Sequence, residues 1–524
     1  RSVLLAVLGS DDVAAGPVTA AWLPETLGGG ALEPPPDPMA LAAAAVEFYE
    51  ADFALVQDSF RASASRGRPA HPEQVGAQMQ LTYRGQPHRY RVDKIAADRY
   101  RIRDGAAVDV TVDRLSDHER RMVVAGRKVR VVVQPQEEAV HLEIDGVAHT
   151  VRRDDGVVVR TGWPALVGSL LVSVGDDVTA GQPIAILESM KMVTTVTAPF
   201  SGHVTSVAVL PNAQVEKGDP LLRIRTSASA DEDTSNADVS LATLAETPSG
   251  AAPVSESARV FGGLTNYLLG YDLDPAAVKV LIAAYRKLAA GEDSSELRER
   301  EDAFLDLYAE IGSLYRPRVE ADSGADPDEE DPDNTQEFFI AYLQWLDPDR
   351  AGLPASYRVR LQQALARYGV DSLADREDLR RTTLWMFRSF SRVPEMAPVV
   401  VAILERRMDK PDAEPTADWQ DRLERLVAAT EGRQPEVTDL ARDVHFQAFE
   451  QPAIERINDV TAAEMATHMG VLADDPHVAD RSDRINRLVW SPHPMRSLLL
   501  DSWRDSLASP ADADQTQAFR AAIL

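Results

Sequence analysis

The sequence predicts a multidomain α+β protein: an antiparallel β-barrel with a helix, then a flattened β-sandwich, then a mostly α-helical region. Three observations carry this prediction. Between Gly76 and Arg152, apolar residues alternate with polar ones in short runs separated by turn pairs such as Arg84-Gly85, Asp104-Gly105, Ala125-Gly126 and Asp145-Gly146. Period-two runs joined by such pairs read as hairpins. Between Gly162 and Ile224 one pattern is written twice, 37 positions apart. From Arg259 onward, apolar residues recur at helical spacing. At 524 residues the chain is too long for one core and divides into several domains.

Residues 1–25 read as the tail of another domain. Leu4, Leu5 and Leu8 lie on one helical face, and Gly16-Pro17 breaks it before an extended run from Val18 to Leu23. Glu33-Pro34-Pro35-Pro36-Asp37-Pro38 is a stiff spacer of polyproline type. A domain over residues 39–153 follows. Met39 to Phe60 is Ala-rich and helical, and the short strands after it predict an antiparallel barrel with that helix packed in or on it. The His and Arg residues of these strands fall mostly at outward positions, so they read as a solvated face without a convergent polar cluster.

Residues 157–225 hold the repeat. Val167, Val172, Gly175, Val178, Gly181 and Ile184 recur as Val204, Val209, Asn212, Val215, Gly218 and Leu221. Asn replaces Gly in the second copy, which fits a turn needing a positive φ that Asn tolerates. Two such halves predict a flattened barrel of two sheets about a pseudo-twofold axis. Met190-Lys191-Met192 lies at the hinge between the halves, where a tight hairpin places the Lys191 amine in solvent. A solvated lysine is the plainer reading, but two flexible thioethers at an exposed turn serve no packing purpose.

Thr226 to Ser257 is Ala, Ser, Thr, Asp and Glu with almost no large apolar residue, so residues 226–257 form a flexible linker. Residues 258–524 form a helical scaffold. Asp274-Pro275 starts one helix by capping and Gly291 ends it. Phe338, Phe339, Tyr342, Leu343 and Trp345 form an apolar set, as do Leu361, Leu365 and Tyr368, then Trp385, Phe387 and Phe390, then Trp419, Leu423 and Leu426. Aromatics at this spacing build a core. The acidic stretch 320–335 lacks the Gly and the closing Glu of a calcium loop, so it is a solvated loop. The closing helix near Phe519 and Ile523 is cut off at Leu524.

The absence of Cys excludes disulfides, zinc-thiolate sites and thiol nucleophiles and fits a reducing cytoplasm. A formal net charge of −28 argues against nucleic acid and anionic membrane surfaces. No apolar run approaches the roughly 20 residues of a membrane span. Without an initiator Met or a signal peptide, the chain reads as a segment of a longer polypeptide. Neither a Gly-rich phosphate loop nor paired carboxylates at magnesium-like spacing are found, so the segment is expected to carry no catalytic and no metal-binding residues.

The Met190-Lys191-Met192 triplet, the Ala198-Pro199 pair and Gly202 resemble the biotinyl carrier domains of biotin-dependent carboxylases. The resemblance implies that Lys191 is amide-linked to biotin by a biotin protein ligase, with Met190 and Met192 flanking it. Ser189 stands where these carriers more often have Ala or Val. The lipoyl carriers share the repeat but typically have Asp before the lysine and Ala after it, so the two methionines favour biotin.

Residues 1–25 are similar to the close of a biotin carboxylase domain, and residues 39–153 resemble the tether domain of single-chain acyl-CoA carboxylases. Gly262 to Asp272 resembles the start of the noncatalytic central region of large acetyl-CoA carboxylases. These likenesses imply the middle of a homo-oligomeric acyl-CoA carboxylase. A biotin carboxylase domain outside this segment, using ATP and Mg, would carboxylate biotin from bicarbonate. A carboxyltransferase would then pass the carboxyl group to an acyl-CoA. The rival expectations are another biotin enzyme, such as pyruvate or urea carboxylase, and a noncatalytic assembly scaffold.

Overall fold

The computed structural model describes residues 7–8, 10–16, 19, 21–22, 36–67, 69, 75–136, 139–153, 156–189, 192–209, 211–226, 241–245, 254–291, 293–315, 335–373, 376–411, 415–475 and 477–490. Compact packing divides the chain into a unit over Arg1–Val399 and a unit over Val400–Leu524. The N-terminal expectation is described around the short helix α1 (Asp11–Ala15), with Gly16 at its C-terminal end, and it needs correction beyond it: in place of the expected extended run, the Trp22 amide donates to the Thr19 carbonyl at 3.0 Å in a turn. The acidic stretch lies outside the described residues apart from Thr335, and so does the closing helix.

In the first unit, eight strands close into an antiparallel barrel in sequence order. They are β1 (Ala77–Tyr83), β2 (Gln86–Ala96), β3 (Arg99–Arg103), β4 (Ala107–Arg114), β5 (Glu119–Val124), β6 (Arg127–Pro135), β7 (Ala139–Ile144) and β8 (Val147–Arg153). Helix α2 (Pro38–Ala64) begins with the Asp37 side chain accepting from the Met39 amide and Pro38 in its first turn. Every residue from Met39 to Val46 is buried, so the Ala-rich half of α2 lies in the barrel core. The run of alanines from Ala42 to Ala45 puts small side chains on all faces, which lets a helix be enclosed by a closed sheet.

Two histidines depart from the expected outward face. His88 and His149 are buried, because period two places His88, Tyr90 and Val92 on the inner side of β2. The Asp37 amide donates to the Tyr83 hydroxyl at 3.3 Å, and that hydroxyl is hydrogen-bonded to His149 Nδ1 at 2.8 Å. Burial lowers the pKa of both imidazoles against the opposing pull of Asp104 on His88 and of Asp37 on His149. A histidine held below its unfolded pKa binds its proton more readily when unfolded. Stability is therefore complete above the unfolded pKa of about 6.5 and falls as pH drops below it. Thermal unfolding of the barrel is expected to shift downward between pH 7.5 and 5.5, and less so in His88→Leu. An unchanged melting temperature across that range would contradict this account.

The linker expectation needs correction at one place. Residues 227–240 and 246–253 lie outside the described residues, but between them a short helix α3 (Ala242–Ala245) packs against β4 and α2. Leu241 is 0% exposed and Leu244 7%, both within the barrel core cluster. Two leucines in an otherwise polar stretch suffice to bury one turn when a preformed apolar surface receives them.

The helices of the first unit are α4 (Glu256–Leu268), α5 (Pro275–Gly291), α6 (Ser295–Leu314), α7 (Thr335–Trp345), α8 (Ala355–Ala366) and the first part of α9 (Arg376–Asp409). Asp274 caps α5 through a 2.8 Å bond from the Ala276 amide, and the α7, α8 and α9 apolar sets are largely buried. After α4 the chain turns through Gly270 at φ +87, where a Cβ would meet the Trp385 carbonyl oxygen at 2.4 Å. Asp272, which follows, is buried with Tyr49 of α2 and Arg388 of α9 donating to its carboxylate. Phe53 stacks on Trp385 at 4.4 Å beside it.

The second unit contains the end of α9, then α10 (Ala417–Thr430), α11 (Pro435–His445), a π-helical turn over Phe446–Glu450, α12 (Gln451–Asp474) and α13 (Arg481–Val489). Its core includes Ile403, Leu404, Trp419, Leu423, Leu426, Val437 and Ala441. Among the described residues no helix is long and apolar enough to cross a membrane, and no cluster of His, Asp or Glu is arranged to hold a metal ion.

Candidate functional site: the carrier domain and its hairpin

The remaining strands form two four-stranded sheets, ordered β13-β12-β10-β15 and β11-β14-β16-β9. They comprise β9 (Val157–Arg160), β10 (Ala165–Leu170), β11 (Asp177–Val178), β12 (Pro183–Ser189), β13 (Met192–Thr197), β14 (Gly202–Val207), β15 (Gln214–Val215) and β16 (Pro220–Thr226). The bounds of β10, β11 and β12 recur in β14, β15 and β16 at an offset of 37. Irregular pairing recurs at the same offset, between Val167 and Ser169 and between Val204 and Ser206. The core is duplicated as well: Val167 and Val204, Ile184 and Leu221, and Leu187 and Ile224 are all fully buried in one cluster.

The turns follow the same logic. Asn212 adopts φ +64, and Gly175, its equivalent in the first half, φ +100. Asn accepts this left-handed backbone at low cost because its short amide meets little steric conflict. Gly202 is constrained by space instead, since a Cβ there would lie 2.0 Å from the Arg225 carbonyl oxygen.

Strands β12 and β13 stay in register up to Ser189 paired with Met192. Two residues remain between the paired positions, and these are Met190 and Lys191, which lie outside the described residues. Ser189 Oγ donates to the Pro164 carbonyl at 3.0 Å, tying the base of the hairpin to the strand beside it. Met192 is 70% exposed and Val193 65%. This edge offers apolar contact to a group carried at the turn or to a protein that handles it, so the residues present fit a covalently attached cofactor. By the repeat, β9 stands to β16 as β13 stands to β12. The hairpin is therefore the counterpart of the place where the chain enters at Val157 and leaves at Thr226.

The carrier also touches the barrel through groups that no local motif revealed. Arg66, just past α2, donates to the Asn212 carbonyl at 2.9 Å and to Gln214 Oε1 at 3.2 Å. Asp52 of α2 accepts two bonds from Arg153 of β8 and lies 4.0 Å from Arg223 of β16. These pairs join residues far apart in sequence, so spacing held no signal for them.

Residues 144–224 match the family described as biotin-requiring enzymes. The chain is 27% identical over 143 residues to pyruvate carboxylase of Staphylococcus aureus, a match covering 24% of this chain and 12% of that protein. It is 39% identical over 61 residues to the biotin carboxyl carrier protein of Streptococcus mutans, covering 12% of this chain and 47% of the relative. It is 23% identical over 283 residues to acetyl-CoA carboxylase of Saccharomyces cerevisiae, covering 51% of this chain and 12% of that enzyme. The chain thus spans a small part of the length of the two large carboxylases.

Proposed function

Given that the chain contains a carrier region of the kind found in biotin-dependent carboxylases, we propose that it is the carrier and scaffold portion of an acyl-CoA carboxylase, with biotin on Lys191. The observation that carries the biotin assignment is the pairing of β12 with β13: it runs up to Ser189 and Met192, so that only Met190 and Lys191 separate the paired positions in the sequence, and Met192 is exposed. Biotin would supply a ring nitrogen that holds the carboxyl group between two active sites. The protein's own part is to present the lysine amine, keep the hairpin edge uncovered and deliver the domain.

Acyl-CoA is favoured over pyruvate as the acceptor by the extent of likeness. The similarity to the yeast enzyme runs over half of this chain, well beyond the carrier, while that to pyruvate carboxylase covers a quarter. ATP and magnesium belong to the biotin carboxylase partner in this reading. A carboxyltransferase and a biotin protein ligase are the other partners, and the barrel serves assembly into a homo-oligomer in the cytoplasm.

Delivery depends on the connections. An extended lysine with biotin reaches roughly 15 Å, less than the size of a domain. Barrel and carrier are separated only by residues 154–156 between β8 and β9, and the other connection meets the barrel core again at Leu241. Both ends of the carrier are thereby attached to the barrel, and the domain swings about that point.

Expressed with a biotin protein ligase, biotin and ATP, the chain is expected to become reactive to streptavidin. With its carboxylase and transferase partners it should fix labelled bicarbonate into an acyl-CoA and not into pyruvate. Absence of bound biotin would end the carrier assignment; label in pyruvate would transfer the chain to the rival class.

A further inference from the structure

The barrel and the carrier are joined by polar pairs on either side of a small unfilled cavity. The two domains keep separate apolar cores, with no residue in common. Arg66 grips the Asn212 turn and Gln214 at one end of the outer half of α2. Asp52 faces Arg223 nearer the barrel, and Val56 lies between them, lining a small cavity with Thr205 to Val207 of β14 and Ala208 after it. On the barrel side, Gln80 points outward from β1, between the inward Met79 and Leu81. It is nevertheless only 5% exposed, because it lines a cleft of about 290 Å³ across from His203, Thr205 and Arg225 of the carrier. Its buried Oε1 has no partner.

We propose that the outer half of α2, from Asp52 to Ala64, with Arg66 just past it, is a releasable berth for the carrier domain. This rests on the reading above that the carrier delivers biotin between active sites. The berth holds the carrier by β15, at one edge of the sheet β13-β12-β10-β15. The opposite edge, β13 with exposed Met192 and Val193, stays uncovered. A berthed carrier therefore remains open to its ligase, and the polar contacts let it leave for an active site. Arg66 is a positioning residue in this scheme and does not touch the carried group.

The chain contains no Cys, so Lys128→Cys on the barrel and Lys217→Cys on the carrier can be spin-labelled without competing thiols. Pulsed dipolar spectroscopy on the full chain is expected to show a narrow distance component for the berthed state. Arg66→Glu places a carboxylate against the Asn212 carbonyl and Gln214. It is expected to lower the berthed-to-free ratio on the order of tenfold, the scale of losing charge-assisted hydrogen bonds. Arg66→Glu combined with Gln214→Arg should recover part of the narrow component, which a merely structural disturbance would not do. Val56→Glu tests the berth by a second route with the same expected release. A distribution that is broad in the parent chain, or unchanged in both Arg66→Glu and Val56→Glu, overturns the proposal. Streptavidin reactivity of the same samples separates the two readings. If all lack biotin, the carrier assignment fails whatever the distances show; if Arg66→Glu takes up biotin like the parent but releases the berth, both stand.

Discussion

Lys191→Arg is expected to eliminate biotin from the chain and with it all carboxyl transfer that depends on the carrier, while the fold is kept. Attachment requires an amine that can lose a proton and attack an activated carboxyl group. A guanidinium stays protonated and delocalises its lone pairs, so it keeps the charge but not the chemistry. The folded domain does not require the lysine. The hairpin is set by Ser189 paired with Met192 and by the Ser189 bond to Pro164, and the core lies in the duplicated Val167, Ile184 and Leu187 positions and their equivalents. Stability should therefore change by less than about 0.5 kcal/mol, as for most surface substitutions. Intact mass after incubation with ligase and biotin reads the result, with Lys217→Arg as the control that keeps its label. Biotin retained on Lys191→Arg would place the attachment elsewhere.

Asp272→Ala is expected to produce the largest loss of stability in the first unit. The Asp272 carboxylate is 2% exposed and receives Arg388 Nη1 at 3.0 Å and the Tyr49 hydroxyl, and its own amide donates to the Lys94 carbonyl at 2.8 Å. One side chain thus joins α2, β2 and α9. Burial first, and then the adjacent Asp272 charge, raise the Tyr49 pKa, so the phenol stays protonated and donates. Removing the carboxylate leaves Arg388 buried without its counter-charge, a change that typically costs about 3–5 kcal/mol. Asp272→Asn keeps an acceptor but loses the charge and should fall between the two. Hydrogen exchange at α2 and β2 and the first thermal transition would both register the loss. A melting curve identical to that of the parent would show that Asp272 does not hold this joint.

The elements that were legible in the sequence share one property: their information is periodic or local. The barrel strands were visible because inward residues alternate and the turns at Gly85, Gly105, Gly126 and Gly146 each carry a Gly, and the helix at Asp274-Pro275 because its cap is encoded within two residues. The carrier was the clearest case. A pattern repeated at 37 positions named its sheets and its turns, and Asn212 was read as a left-handed position that the backbone indeed adopts. The Met190-Lys191-Met192 candidate could be found for the same reason, since it sits at the hinge of that repeat. By contrast, the polar stretch after Thr226 gave no hint that Leu241 and Leu244 enter the barrel core. Their burial depends on an apolar surface supplied by residues more than a hundred positions earlier.

By itself, then, the sequence determined the class of each domain and the duplicated carrier, because hydrophobic period and turn chemistry act over a few residues. Only the tertiary structure decided that the Ala-rich helix lies inside the barrel and that His88 and His149 are enclosed. It alone joined Asp272 to Tyr49 and Arg388, and Arg66 to the carrier. Burial and ion pairing depend on what lies nearby in space, and closing a barrel around a helix brings together groups that no local spacing relates.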